Sequence, residues 1–302
     1  MGAVSRAPAP GIEWPTLGLI FVVYAGWFGL TLAAGIIGEW PAAVLLAVLL
    51  TLHSSLQHEI MHGHPFRRQW LNDLFAMPGV GIFIPYGRFR ALHLAHHKDA
   101  NLTDPLDDPE SFYFEPEVFH SLPRWAQRVL EVNNTLLGRI VIGPLVGTEA
   151  FMRTEMRLIR RGDRTVQRDW VVHLLTVVAV IFYLDAVGMP LLPYVAACYG
   201  ALAILKIRTF AEHQAHLRAP SRSVIIEDRG PLAFLFLNNN LHAVHHSHPQ
   251  VPWYALPVVF RSKRIFYLAR NGGYRFDGYG DLILQYLLRA KEPLPHPLKQ
   301  KT

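Results

Sequence analysis

Cysteine is almost missing from this chain: 302 residues contain one, Cys198, and it lies inside an apolar run. A single thiol excludes an internal disulfide, a zinc–thiolate cluster and an iron–sulfur centre. Cys198 therefore reads as a small core residue. Charge is scarce too. Charged residues make up 17% of the chain against 51% hydrophobic, and the mean hydropathy is +0.19, which argues against an ordinary soluble enzyme. There is no His-Pro-Gly-Gly signature of cytochrome b5 and no glycine fingerprint of a flavin site, so no electron carrier is expected within the chain. A cleavable signal peptide is not expected either. Residues 1–14 are short and proline-rich, and the apolar run after them is too long for a signal h-region.

What is present is apolar sequence gathered into runs. The expected fold is an all-α integral membrane protein, read as a single domain over 1–302. Four transmembrane helices, at about 15–38, 41–62, 170–188 and 191–212, form two hairpins. Residues 73–86 are apolar but interrupted by Pro78, Gly79, Gly81 and Pro85, which suggests an interfacial or re-entrant helix. Residues 99–120, acidic and proline-rich, read as a loop. Residues 121–168 read as basic helices, with 136–146 lying in the interface, and complete a helical cap. Neither short turn, 36–41 or 185–193, carries lysine or arginine, whereas 120–169 carries nine arginines and 261–302 nine basic residues. The positive-inside rule then puts both termini and the central segment in the cytoplasm. A net charge of +6 and a pI near 9.5 fit anionic lipid headgroups better than nucleic acid.

Histidine is over-represented, with sixteen residues, most of them in tight groups. His58-Glu59-Ile60-Met61-His62 ends the second run, and its i,i+4 pair shares one helix face. His93-Leu94-Ala95-His96-His97 places i, i+3 and i+4 on one side of a helix, with the adjacent pair diverging by about 100°, as suits two neighbouring metals. His242-Ala243-Val244-His245-His246 repeats that spacing. One HxxxH is a weak signal, but three such groups at the same ends of membrane runs form a specific one. Buried imidazoles beside a membrane are costly unless they have partners, and this donor set suits metals that accept imidazole nitrogen. Glu59, Asp108, Glu110 and Glu212 are candidates to accept the free ring N–H of a ligand histidine; interfacial carboxylates or helix caps are equally good readings. Asn238, Asn239 and Asn240 hold either water or loop geometry. His64, His248 and His120 fall outside the pattern, and His173 and His296 read as structural. Trp253 and Tyr254 read as interfacial anchors, with electron entry as the alternative.

Taken together, the three groups resemble the histidine boxes of the membrane fatty acid desaturase superfamily, which also contains carotenoid ketolases and alkane hydroxylases. The likeness covers most of the chain. It extends to Asp104-Pro105 and Asp108-Pro109-Glu110 after the second box, and to Asn238-Asn239-Asn240-Leu241-His242 followed by Pro249 and Pro252-Trp253-Tyr254 around the third, similar to many bacterial members. The resemblance implies a di-iron centre with O2 as co-substrate and each box serving both irons. The implied ligands are His58, His62, His93, His96, His97, His242, His245 and His246 plus one further histidine, taken to be His213, with His216 as its rival. Two ferrous ions can pass electrons to dioxygen and so equip it to attack an unactivated C–H bond. The implied activity is desaturation of a fatty acyl chain or similar lipid, with hydroxylation or ketolation of a carotenoid, alkane or other amphiphile as the alternative. Electrons would come from a separate ferredoxin, rubredoxin or cytochrome b5-type protein. A multi-pass protein of the bacterial inner membrane is expected.

Two other classes share parts of the pattern. His58-Glu59-x-x-His62 also spells the HExxH of zinc proteases, with Glu59 as general base, but that site would leave seven clustered histidines without a role. A metal transporter is the second, although transporter ligands usually lie near the bilayer midplane on broken helices.

Overall fold

The computed structural model describes residues 11–97 and 101–299; the extreme N-terminal segment read above for a signal sequence lies largely outside them. The molecule is mostly helical, with one two-residue parallel strand pair among the described residues. Four helices are long and apolar enough to cross a membrane: α1 (Trp14–Ile37), α2 (Glu39–Met61), α9 (Arg164–Ala186) and α10 (Leu191–Thr209). Their outward faces stay apolar, with Ile36 88% and Phe182 71% exposed, as a lipid-facing surface requires. Between the two pairs run α3 (Gln69–Ala76), α4 (Tyr86–His96), α5 (Pro116–Ser121), α6 (Arg124–Asn133), α7 (Leu136–Val141) and α8 (Gly143–Arg160). After α10 come β1 (Ile225–Ile226), α11 (Pro231–Leu235), α12 (His242–Ser247), α13 (Leu256–Ser262), α14 (Arg264–Arg270), β2 (Arg275–Phe276) and α15 (Tyr279–Tyr286).

Helix ends differ from the hydropathy boundaries because capping, rather than composition, stops a helix. Gly38, at φ +93°, breaks α1 from α2 in a conformation that a side chain would strain. α9 starts six residues before its apolar run, where Asp163 Oδ1 accepts the amides of Thr165 and Val166 at 3.0 and 3.1 Å. α10 stops at Thr209, so Glu212 and His213 lie beyond it instead of completing its last turn.

α2 is the central helix and packs along both α1 and α10. Lipid tails provide no hydrophobic drive between apolar helices, so close packing has to hold them together. Small residues allow it: Ala42, Ala43 and Ala47 of α2 meet Ala197, Gly200 and Ala201 of α10. A Cβ added at Gly200 would lie 3.0 Å from that of Ala47. The second hairpin is splayed, and residues 77–85 fill the gap. The stretch 73–86, expected as an interfacial or re-entrant helix, is helical only where α3 ends and α4 begins; residues 77–85 are irregular. Val80 O accepts the Tyr194 hydroxyl at 2.6 Å, Ile82 O bonds His173 Nε2 at 2.9 Å, and Gly79 N donates to Thr176 Oγ1 at 3.1 Å. The freed backbone groups thus find partners inside protein, and His173 is structural, as read.

α4, which carries the second histidine group, is fixed by a buried ion pair. Arg88 Nε and Nη2 donate to Glu155 of α8 at 2.8 and 3.0 Å, and Trp170 of α9 donates to the same carboxylate at 2.9 Å. Replacing Arg88 with Met should destabilise the protein by about 3–5 kcal/mol, since it strands a buried carboxylate. The double change Arg88→Met with Glu155→Leu should cost less than the single one, as read from unfolding in detergent.

Candidate metal centre

Three chain reversals bring the histidines together at one end of the membrane helices. α2 delivers His58 and, at its C-cap, His62; α4 delivers His93, His96 and His97; α12 delivers His242, His245 and His246. His213 arrives without a helix. It pairs with Ser223 in an isolated antiparallel bridge, and the next turns tie that stretch to the third box: Val224 N donates to Glu212 O at 3.0 Å, and Ala243 N to Val224 O at 2.9 Å. His216 lies outside the cluster, its Nδ1 accepting the Arg218 amide at 3.0 Å.

The nine imidazoles sort into two sets, each with ligand nitrogens within 4.8 Å of one another: His58, His62, His93, His97 and His245; and His96, His213, His242 and His246. The sets adjoin, with the His97 and His246 rings stacked 4.3 Å apart. The adjacent pairs His96/His97 and His245/His246 each divide between the sets, as their divergence on a helix requires. One expectation fails. The first box serves only one set, because i,i+4 side chains point the same way, and His213 makes up the other.

Nε2 to Nε2 separations are 2.9 Å for His93–His97 and His96–His213, 3.0 Å for His213–His242, 3.1 Å for His242–His246 and 3.2 Å for His97–His245. Imidazole binds a first-row metal such as zinc at about 2.1 Å, so two nitrogens at right angles around one ion would lie about 3.0 Å apart. His58 Nε2 and His62 Nε2 are buried with no hydrogen-bond partner, a costly state for lone pairs unless something else uses them. The residues fit a pair of metal ions.

Several outer ring nitrogens are engaged. His96 Nδ1 donates to Asp108 at 2.8 Å and His93 Nδ1 to Glu110 at 3.0 Å. His242 Nδ1 donates to Asn239 Oδ1 at 3.0 Å, and Asn239 Nδ2 donates in turn to Glu212 at 3.3 Å. These bonds leave Nε2 as the inward lone pair. Asn238 and Asn240 hold the loop, donating to Trp253 O at 3.0 Å and Ile226 O at 2.6 Å. Glu59 orients no ligand: its carboxylate accepts the Trp253 amide at 2.9 Å, and its nearest histidine is His64, which bonds Glu13 at 2.7 Å. His120 and His296 bond outside the cluster, to Pro116 O and Thr103. Two supports of His213, Ser223 and Lys291, carry no motif that a sequence reading could find.

Burial, then neighbouring imidazoles, pushes His97, His242 and His245 below the ordinary histidine pKa; burial and then His96 does so for His213, and His62 is held down to about 2. They stay neutral and able to ligate. His96 goes the other way. Burial opposes its protonation, but Glu110 and Asp108 outweigh that and raise it to about 9. The lowered histidines take up protons only on unfolding, so they cost stability as pH falls through about 6.5. His96 contributes stability below about 6.5 and loses it as pH rises through about 9. Because the lowered histidines, with His248 and His296 among them, outnumber the raised His96 and His64, the metal-free protein should lose stability between pH 7 and 5, measured by thermal unfolding. Asp108→Asn should weaken metal binding by about 10–100-fold, measured by metal titration.

The comparison with known proteins agrees with this geometry. No curated protein matches the chain. The fatty acid desaturase family matches residues 34–277, which take in all three histidine boxes, His213 and most of the membrane helices. The chain therefore belongs to the fatty acid desaturase family, the membrane di-iron desaturases and hydroxylases.

Proposed function

We propose that this protein is a membrane-bound, O2-dependent di-iron oxidoreductase that desaturates a fatty acyl chain or similar lipid, with electrons from a separate redox protein. The observation that carries this reading is the division of nine imidazoles into two adjoining sets, with His58 Nε2 and His62 Nε2 buried and without hydrogen-bond partners. We assign His58, His62, His93, His97 and His245 to one iron and His96, His213, His242 and His246 to the other. Bound ferrous ions would supply the electrons that activate dioxygen toward an unactivated C–H bond. The chain's own part is orientation. Asp108, Glu110 and Asn239 hold three rings in the tautomer that faces inward, and Arg88 fixes the helix that bears the second box.

A cleft between α4, α8 and α10 supports a lipid-like substrate. Phe89, Leu92, Phe151 and Leu202 make its walls apolar, and its cavity volume is about 160 Å³, less than the roughly 300–1,000 Å³ usual for a whole small-molecule site. Glu110 is also in its wall, so the cleft borders the His93 set. We read 1–302 as one desaturase-like domain. The histidine end of the bundle, with its basic flanks, is assigned to the cytoplasmic side of a bacterial inner membrane, where a ferredoxin, rubredoxin or cytochrome b5-type donor has access. Glu59 faces the Trp253 backbone and His64 and not the clustered rings, which counts against the protease reading, where it would be the base.

Lipids from cells with and without the protein, compared by mass spectrometry, should show a product two hydrogens lighter than its precursor. A product gaining one oxygen would instead assign hydroxylation. Formation should require O2 and iron and should disappear in both His245→Ala and His96→Ala, one from each set, while membrane insertion persists. Undiminished turnover under strict anaerobiosis would refute the proposal. Leu202→Trp, which narrows the cleft, should cut long-chain turnover by about 10-fold or more while iron content stays unchanged, a loss equal to about 1.4 kcal/mol in the barrier.

A further inference from the structure

His213 is the one clustered imidazole whose position is set by irregular backbone, and the C-terminal segment holds that backbone in place. Lys291, buried with a side-chain exposure of 5%, donates its ammonium to the carbonyl of His213 and, at 2.9 Å, to the Tyr274 hydroxyl. Tyr274 donates to Ala211 O at 2.6 Å. On the other side of His213, the Ala215 amide reaches the Tyr113 hydroxyl at 2.8 Å and Glu292 Oε1 at 3.2 Å, and Tyr113 itself bonds Glu292. The backbone from 211 to 215 is thus held on both sides of the histidine by two consecutive tail residues and two tyrosines. The tail is anchored in turn: Asn134 Nδ2 donates to Glu292 O at 2.7 Å, and Phe114 N to Leu294 O at 2.9 Å. Residues 291 and 292 lie beyond the stretch that matches the desaturase family, which ends at 277.

We infer that Lys291 is a positioning residue for one of the two metal ions, the one assigned to His96, His213, His242 and His246. The inference rests on the two-iron reading above. A carbonyl bonded to an ammonium in a buried setting gains a strong, charge-assisted bond, and losing it frees the only ligand of that set that no helix places. The five-histidine set touches neither Lys291 nor Glu292, so it keeps its geometry without them.

The test is iron content and spectroscopy of full-length protein purified in detergent and loaded anaerobically with ferrous iron. Wild type should hold two irons per chain. Lys291→Met, which keeps the aliphatic stem but removes the donor, should hold about one, and on oxidation it should show the EPR signal of an isolated high-spin ferric ion in place of a spin-coupled pair. Lys291→Arg, which restores a cation, should recover the second iron. Tyr113→Phe, a milder change on the opposite side of His213, should weaken the second iron alone by a smaller factor and guards against misfolding of the first variant. Two irons in Lys291→Met, or equal loss of both, would overturn the assignment of Lys291 while leaving the two-iron reading intact. A folded wild type that binds no iron would overturn both.

Discussion

The structure depends on imidazole nitrogens that are desolvated yet left without hydrogen-bond partners. A buried polar atom in that state costs about 1–3 kcal/mol, and here His58 Nε2 and His62 Nε2 sit side by side in it. No hydrogen-bond partner among the described residues offsets that cost. On neighbouring rings, Asp108, Glu110 and Asn239 occupy the outer nitrogens of His96, His93 and His242 and so turn their inner nitrogens toward the cluster. A group that accepts lone pairs, such as a metal ion, would offset that cost, and the donor set could hold one.

Keeping such a cluster in register needs a stiff frame, and the membrane region supplies one by two means. Small residues along α2 and α10 let the backbones approach closely, so dispersion can act where lipid supplies no hydrophobic drive. The irregular segment 77–85 then wedges the splayed α9 and α10 through its backbone, with Val80 O and Ile82 O bonded to Tyr194 and His173 and Gly79 N to Thr176. That wedge leads straight into α4, and Arg88 locks α4 against Glu155. The second histidine group is thereby tied to the bundle at its start and in its middle, while its carboxylate partners on the 101–115 loop hold its end.

Much of this was legible in the residue order, for a local reason. Helical geometry alone dictates that i and i+4 share a face and that neighbours diverge, so the split of His96 from His97 and of His245 from His246 follows from spacing. The same logic, pressed further, shows why the first box could not serve both sets. Hydropathy located four membrane helices but misplaced the start of α9 and the end of α10, because Asp163 and the turn at Phe210 act through hydrogen bonds that composition does not register. Glu59 looked like a ligand partner by adjacency, but its side chain leaves the cluster's face of the helix and meets Trp253.

What the sequence determined by itself is the class of protein and the identity of the clustered imidazoles, since periodicity, charge asymmetry and box spacing are properties of short segments. What only the tertiary structure decided is which imidazoles share a set, that His213 and not His216 joins them, and that Asn239 and Lys291 support ligands. Those outcomes depend on contacts between residues as many as 187 apart, such as His58 with His245. No local rule of backbone geometry reaches across that distance.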